Sequence, residues 1–249
     1  MSGFNPFSLT GKTILVTGAS SGVGRQVAIE CSKSGARLVL TARNEDRLKE
    51  TLSRMDGDGH SLFSADLTKE EDVNALVASL PSLDGVVLCA GKGLLLPFVF
   101  NTRQKYDEVF NINFFAPAEL LRQIVKRKKV AKDSSVVFVS SVGGVSVIDS
   151  GNSAYGTSKA ALNALMKFCA RELAPKGIRV NSVNPGILET PMLYAGSNTQ
   201  EQISMGTALY PLKRYGKPEE VAWGIIYLLS DASAWVTGTS LMIDGGLSI

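Results

Sequence analysis

Histidine is almost missing from this chain of 249 residues: there is one, His60. A serine–histidine–acid relay would have to be built on it, and its setting, MDGDGHSLF, reads as a turn entering a strand with no nucleophile at hand. His60 is therefore expected to have a structural or surface role. Cysteine is scarce as well, with three residues at 31, 89 and 169. They are too scattered for a paired metal motif, and no metal site is expected. An odd number of thiols, in a chain whose first residues lack a basic-then-apolar leader pattern, predicts a reducing, cytoplasmic setting. No apolar run reaches about 18 residues, so no membrane span is expected. The net charge is only +3, which argues against nucleic acid as a partner. No linker and no internal repeat divides the chain, so a single domain over 1–249 is predicted.

What is present is alternation. Short apolar runs at 12–17, 36–41, 60–65, 85–90, 135–140, 178–183 and 240–244 read as strands. Several are rich in Val, Ile and Leu without strict alternation, as strands buried on both faces are. Helix-like segments lie between them, at 24–35, 71–80, 106–127, 153–177 and 218–231, and Pro117 is placed to kink the third. Strand, helix, strand implies an α/β fold, a doubly wound parallel sheet of about seven strands. The least regular stretch, 189–214, follows a strand at the edge where open α/β sheets bind ligands, and reads as a substrate lid.

Directly after the first strand comes TGASSGVG, Thr17 to Gly24. Gly18, Gly22 and Gly24 permit a tight turn and close approach of a pyrophosphate, with Ser20, Ser21 and Val23 in the same turn. The second strand ends Thr41-Ala42-Arg43, where a fold taking NAD commonly has an acid for the ribose 2′-hydroxyl. Arg43 can pair with a 2′-phosphate, so the cofactor expected is NADP(H).

Further on, SAYGTSKAAL puts Tyr155 one helical turn before Lys159, on one face. A phenol titrates near 10, so proton exchange near neutrality requires a shift of ~3 units, about 4 kcal/mol. A fixed ammonium in a dry cleft supplies an effect of that order. Ser141 closes the fifth strand, where its hydroxyl can meet a substrate carbonyl. Asn113 lies in FNINFF, an unfavourable place for an amide in a helix.

Together these residues resemble the short-chain dehydrogenase/reductase family over nearly the whole chain. The motifs are TGASSGVG, Asp66 and Leu67 in ADLT, Ala90–Gly91 in LCAG, FNIN, VSS, YGTSK, VNPGILET (183–190), GKPEEVA (216–222) and VTGTSLMIDGG (236–246). The resemblance implies a Rossmann-type domain and hydride transfer between nicotinamide C4 and a carbonyl. It implies Tyr155 as general acid or base, Lys159 lowering its pKa and holding the nicotinamide ribose, and Ser141 polarising the carbonyl. Asn113 would hold a water linking Lys159 to solvent. Asp66 would bind adenine, while Ile187 and Thr190, following Pro185 and Gly186, would meet the carboxamide. Two departures stand out. Cys89 replaces the usual Asn before Ala90–Gly91, which puts a bracing bond of the fourth strand in doubt. One extra residue separates Ser141 from Tyr155, which leaves Ser140 as an alternative to Ser141.

For the substrate, the basic run KRKKVAK (126–132) and Lys176 resemble positions at which family members that reduce 3-oxoacyl groups dock acyl carrier protein. A solvated helix end is the plain alternative. Leu94, Leu95, Leu96 and Phe98, with Met192, Leu193 and Tyr194, suggest a partly apolar pocket. The competing substrates are a small ketone, sugar or steroid, and the competing class is a non-catalytic NADP-binding sensor. The resemblance further implies a homotetramer or homodimer through the helices at 106–127 and 153–175 and the last strand.

Overall fold

The computed structural model describes residues 5–190 and 200–249; of residues 200–203 it describes the backbone. The first half runs β1 (Thr13–Thr17), α1 (Gly22–Lys33), β2 (Arg37–Ala42), α2 (Glu45–Leu52), β3 (Ser61–Ser64), α3 (Glu70–Ser79) and β4 (Leu83–Leu88). The second half holds α4 (Arg103–Phe110), α5 (Ala116–Lys126), β5 (Val130–Val139), α6 (Ser153–Leu173) and β6 (Arg179–Pro185). It continues with α7 (Gln200–Ala208), α8 (Pro218–Leu229) and β7 (Ser240–Ile243). All seven strands pair in parallel in the order β3-β2-β1-β4-β5-β6-β7. The order reverses between β1 and β4, which opens a crevice at the carboxyl ends of those strands. The doubly wound fold expected from the sequence is borne out.

The strands are apolar on both faces because each face carries helices. Val136 and Phe138 of β5 point into a core shared with α3, α5 and α6. Val137 and Val139, one residue out of phase, join a second core under α1 and α8. Ile14, Val16 and Leu15 of β1 divide in the same way. Each fully buried side chain of this size contributes about 1.5–3 kcal/mol, so both cores hold the sheet and neither face is free to alternate in polarity.

Two elements differ from expectation. The helix predicted over 106–127 is interrupted: α4 ends at Phe110, a wide π-type turn runs Asn111–Phe115, and α5 begins at Ala116. Pro117 has no N–H for the carbonyl of Asn113 and its ring would crowd that carbonyl in a regular helix, so the chain widens one turn early. Strand β5 starts at Val130, five residues before the predicted 135. Its first residues pass through Asp133 at φ 61°, and its register against β4 shifts between Leu83 and Gly85. Of the segment 189–214, residues 191–199, with Met192, Leu193 and Tyr194, lie outside the described residues. The described remainder contains α7 and a turn through Tyr210. His60 bridges β2 and β3: its Nδ1 accepts from Leu38 N–H at 3.1 Å, and its Nε2 lies 2.9 Å from the Asp56 carbonyl.

No described helix is long and apolar enough to cross a membrane. Among the described residues, no three His, Cys, Asp or Glu gather as a metal cluster.

Candidate active site

The crevice is built from strand ends. Thr17, Thr41, Cys89 and Ser140 end or follow β1, β2, β4 and β5. The turn after β1 carries Gly18 at φ 68° and Gly22 at φ 52°, and no atom lies within 4 Å of where a Gly22 side chain would begin. Gly24 is required for the opposite reason: a Cβ there would lie 2.4 Å from the Gly18 carbonyl oxygen. The turn is thus tightly closed on its inner side and open where Gly22 faces outward, beside the amino end of α1.

Residues not singled out in the sequence brace this turn. Arg25 Nη2 donates to the Ser20 carbonyl at 2.7 Å and pairs with Glu50, while its Nε donates to Thr51 Oγ1. Thr51 in turn donates to the Ala19 carbonyl at 2.8 Å. The position of Arg25, directly after Gly24, is the only sequence signal for this role. Thr17 Oγ1 accepts the N–H groups of both Cys89 and Ala90, at 2.9 and 3.1 Å. So the bracing of β4 that the Cys89 substitution put in doubt comes instead from β1.

The guanidinium of Arg43 is exposed and makes no hydrogen bond to any described residue, while its carbonyl accepts from Ser64. Two residues before it, Thr41 Oγ1 is buried and has no partner among the described residues. Asp66 spends Oδ1 on Thr68, accepting from its N–H and its hydroxyl. Burial pushes the Asp66 carboxyl up, but the Thr68 bonds and the nearby Arg43 charge hold it below the usual carboxylate range. Leu67 is buried in the core, so only its main chain can meet a cofactor. An open glycine turn, an unengaged arginine and an orphaned hydroxyl together suit a phosphorylated dinucleotide.

The proton-handling groups converge on α6. Lys159 is buried, and its ammonium donates to the Val139 carbonyl at 2.8 Å while lying 5.8 Å from the Tyr155 ring centre. Burial pulls Lys159 down to about 8, opposed by the Cys89 side chain. Burial pushes the Tyr155 phenol above its ordinary value; a hydrogen bond with Ser141 works against this and the Cys89 side chain adds to it. The expected depression of Tyr155 by its lysine is therefore not produced by this geometry. The ammonium is turned to a strand carbonyl and over the ring, and desolvation is the largest influence on the phenol. Burial likewise raises the Cys89 thiol to about 11.

Ser140 and Ser141 are resolved by their surroundings. Ser140 is buried and donates to the Lys159 carbonyl at 3.0 Å; Ser141 bonds Tyr155 and accepts from the Gly143 N–H at 3.2 Å. Ser141 is the one that shares a face with the phenol.

Asn113 is fully buried in the π-type turn. Its Nδ2 donates to the Lys92 carbonyl and to Ser158 Oγ, both at 3.0 Å, and its Oδ1 accepts from Lys92 N–H at 2.8 Å. With both amide hydrogens used, the side chain clamps the loop after Gly91 to α6. A Cβ on Gly91 would lie 3.0 Å from Asn113 Oδ1 and 3.4 Å from Lys159 Nζ, so these groups meet at one point.

Across the crevice, β6 ends in Pro185, Gly186 donates its N–H to the Ile243 carbonyl, and Thr190 is half-buried. The Ile187 N–H donates at 2.8 Å to the hydroxyl of Tyr210, a buried residue in a stretch without periodic pattern.

A family model described as enoyl-(acyl carrier protein) reductase matches residues 18–248. The 3-oxoacyl-[acyl-carrier-protein] reductase FabG of Rickettsia felis is 31% identical over 239 residues, covering 96% of this chain and 98% of the relative. Glucose 1-dehydrogenase of Gluconobacter oxydans is 31% identical over 246 residues, covering 96% and 92%. A solved RhlG/NADP active-site complex of Pseudomonas aeruginosa matches with a TM-score of 0.91 at 30% identity, over 99% of this chain and 100% of that one.

Proposed function

This chain belongs to the short-chain dehydrogenase/reductase family, whose members bind a nicotinamide cofactor, and on that premise we propose that it reduces a ketone on an apolar acyl chain with NADPH, a 3-oxoacyl thioester being the favoured substrate. The carrying observation is the convergence of Ser141, Tyr155 and Lys159 beside an apolar rim. Leu95, Phe98, Val145 and Ile148 are exposed, Ile148 by 89%, and the Leu96 N–H bonds the Gly151 carbonyl at 2.7 Å, joining the two loops that carry them. A sugar would find few polar partners on such a rim.

The bound nicotinamide would supply a hydride donor or acceptor at C4. Main-chain amides of Gly18–Gly24 would receive the pyrophosphate, Arg43 the 2′-phosphate, Asp66 Oδ2 the adenine, and Ala90 and Gly91 the face between. Lys159 would hold the nicotinamide ribose and Thr190 the carboxamide, and Ile187 would meet the carboxamide only by releasing its N–H from Tyr210. Ser141 would orient the carbonyl oxygen and Tyr155 would protonate it. A phenol carries the proton that this step needs, and burial, which holds the Tyr155 pKa above its ordinary value in the free protein, makes it a weaker donor that the bound cofactor and substrate would have to assist. Asn113 enters through its main chain: Pro117 denies its carbonyl a helical donor, which leaves that oxygen for a water in a relay to Lys159.

The basic run stands differently. Arg127 reaches Asn74 at 2.7 Å and Lys129 the Leu80 carbonyl at 2.5 Å. The run leads into the amino end of β5, and the length of that strand separates it from Ser141 by roughly 30 Å. A carrier protein docked on Lys126, Lys128, Lys132 and Lys176 would thus serve a neighbouring subunit's site, which fits a homotetramer or homodimer.

The deciding experiment follows NADPH consumption with an acetoacetyl group on acyl carrier protein and on a small thioester, with glucose plus NADP⁺ alongside. Turnover of the thioesters supports the reading. Turnover of glucose alone replaces it with a sugar dehydrogenase, which the Gluconobacter relative makes the second reading. Tight NADPH binding with no turnover of any ketone would favour a sensor.

A further inference from the structure

Behind the catalytic pair lies a buried polar cluster that no assigned role uses. Asn163 is one turn after Lys159 on α6 and is 7% exposed. Its Nδ2 donates to Ser140 Oγ and to Asn184 Oδ1, each at 2.9 Å. Its Oδ1 accepts from Ser182 Oγ at 2.7 Å and from Ser240 Oγ at 3.5 Å. Ser140, Ser182 and Asn184 are themselves buried. One amide therefore ties α6 to the ends of β5 and β6 and to β7.

Such a network in an apolar interior is costly unless every member is satisfied, and when satisfied it holds one geometry. Here the geometry it holds is that of the lysine. Ser140 Oγ accepts from Asn163 and donates to the Lys159 carbonyl, while the carbonyl of the preceding residue, Val139, receives the Lys159 ammonium. Lys159 is thus pinned at both ends to residues 139–140, and the orientation of Ser140 is set by Asn163. Ser141, the partner of the phenol, is the next residue in the chain.

We propose that Asn163 is a positioning residue for the reaction, acting through Ser140 to hold Lys159 and Ser141 in register with Tyr155. The inference rests on the proposed function for its kinetic readout but not for its spectroscopic one.

The test compares Asn163→Leu, Ser140→Ala and the double variant. Each single change is expected to lower kcat at least tenfold, with KM and NADPH affinity within about threefold, and the double variant should be no slower than the worse single, as for residues acting as a unit. The Tyr155 titration, taken as the tyrosinate absorbance lost in Tyr155→Phe, should shift in both singles. Unchanged kcat per folded molecule and an unchanged phenol titration, with only a lower Tm, would overturn the proposal and leave Asn163 a packing group. Multiplying losses would overturn the route through Ser140. If the wild type turns over no substrate, the proposed function fails by itself and the phenol titration still decides this inference. Should Asn163→Leu not fold, Ser140→Ala, which removes one oxygen, carries the test.

Discussion

The two ends of β5 make opposite use of polar side chains. At its amino end, Lys126, Arg127, Lys128 and Lys132 are exposed, and the bonds their neighbourhood makes are to a helix and its last carbonyls. At its carboxyl end, Ser140, Asn113, Asn163 and Lys159 are buried: Asn163 bonds Ser140, Asn113 bonds Ser158, and Ser140 and Lys159 donate to main-chain carbonyls. Charge at the first end is screened by water and bears on encounter with a partner. At the second end the same kind of group is desolvated, so its protonation and position are set by the fold. The proposed chemistry is assigned to the second end, where Lys159 is buried against the Val139 carbonyl and over the Tyr155 ring.

This contrast can be broken at its strongest point first. Tyr155→Phe keeps the ring and removes the proton, so turnover should fall by about 10²–10⁴, with NADPH affinity within a few-fold by fluorescence titration. Retained activity would remove Tyr155 as the acid. Next, Arg43→Ala should weaken NADPH on the order of 10–100-fold, the value of a charged hydrogen-bonded contact, and NADH far less. Equal losses would separate Arg43 from phosphate recognition.

A pH series sharpens the buried side of the comparison. The phenol lies above its ordinary pKa in the free protein. Alcohol oxidation, which needs it deprotonated, should rise by up to about tenfold per pH unit without levelling below about 10. Carbonyl reduction should hold through neutrality. Levelling near pH 7 in the oxidation direction would show the ammonium, not burial, to set the phenol. The smallest effect is expected at the exposed end. Reversing the charges of Lys126–Lys129 should raise KM about several-fold for a carrier-bound ketone and leave a small thioester unaffected. An equal effect on both substrates would exclude docking there.

Much of the crevice is legible in the order of residues alone. The glycine turn, Arg43 and the Tyr155–Lys159 spacing are local patterns, and a helix or a strand-turn-helix places their members together by geometry. The choice between Ser140 and Ser141 is not legible in that way, because adjacent strand residues point to opposite faces and the loop carrying the extra residue hides the phase. Nor is the brace from Thr17 to the Cys89 and Ala90 amides, which joins residues 72 and 73 positions apart. Tyr210 beneath Ile187 has no periodic signal to announce it.

By itself, the sequence determined the alternation of strands and helices, the parallel sheet it entails, and the position of a dinucleotide crevice, since these follow from short-range hydrophobic pattern and turn chemistry. Only the tertiary structure decided which groups are dry. Burial raised Tyr155 where its lysine was expected to lower it, turned the side chain of Asn113 into a clamp, and set Asn163 behind Lys159. Desolvation depends on everything packed around a group, and a linear pattern carries no measure of that.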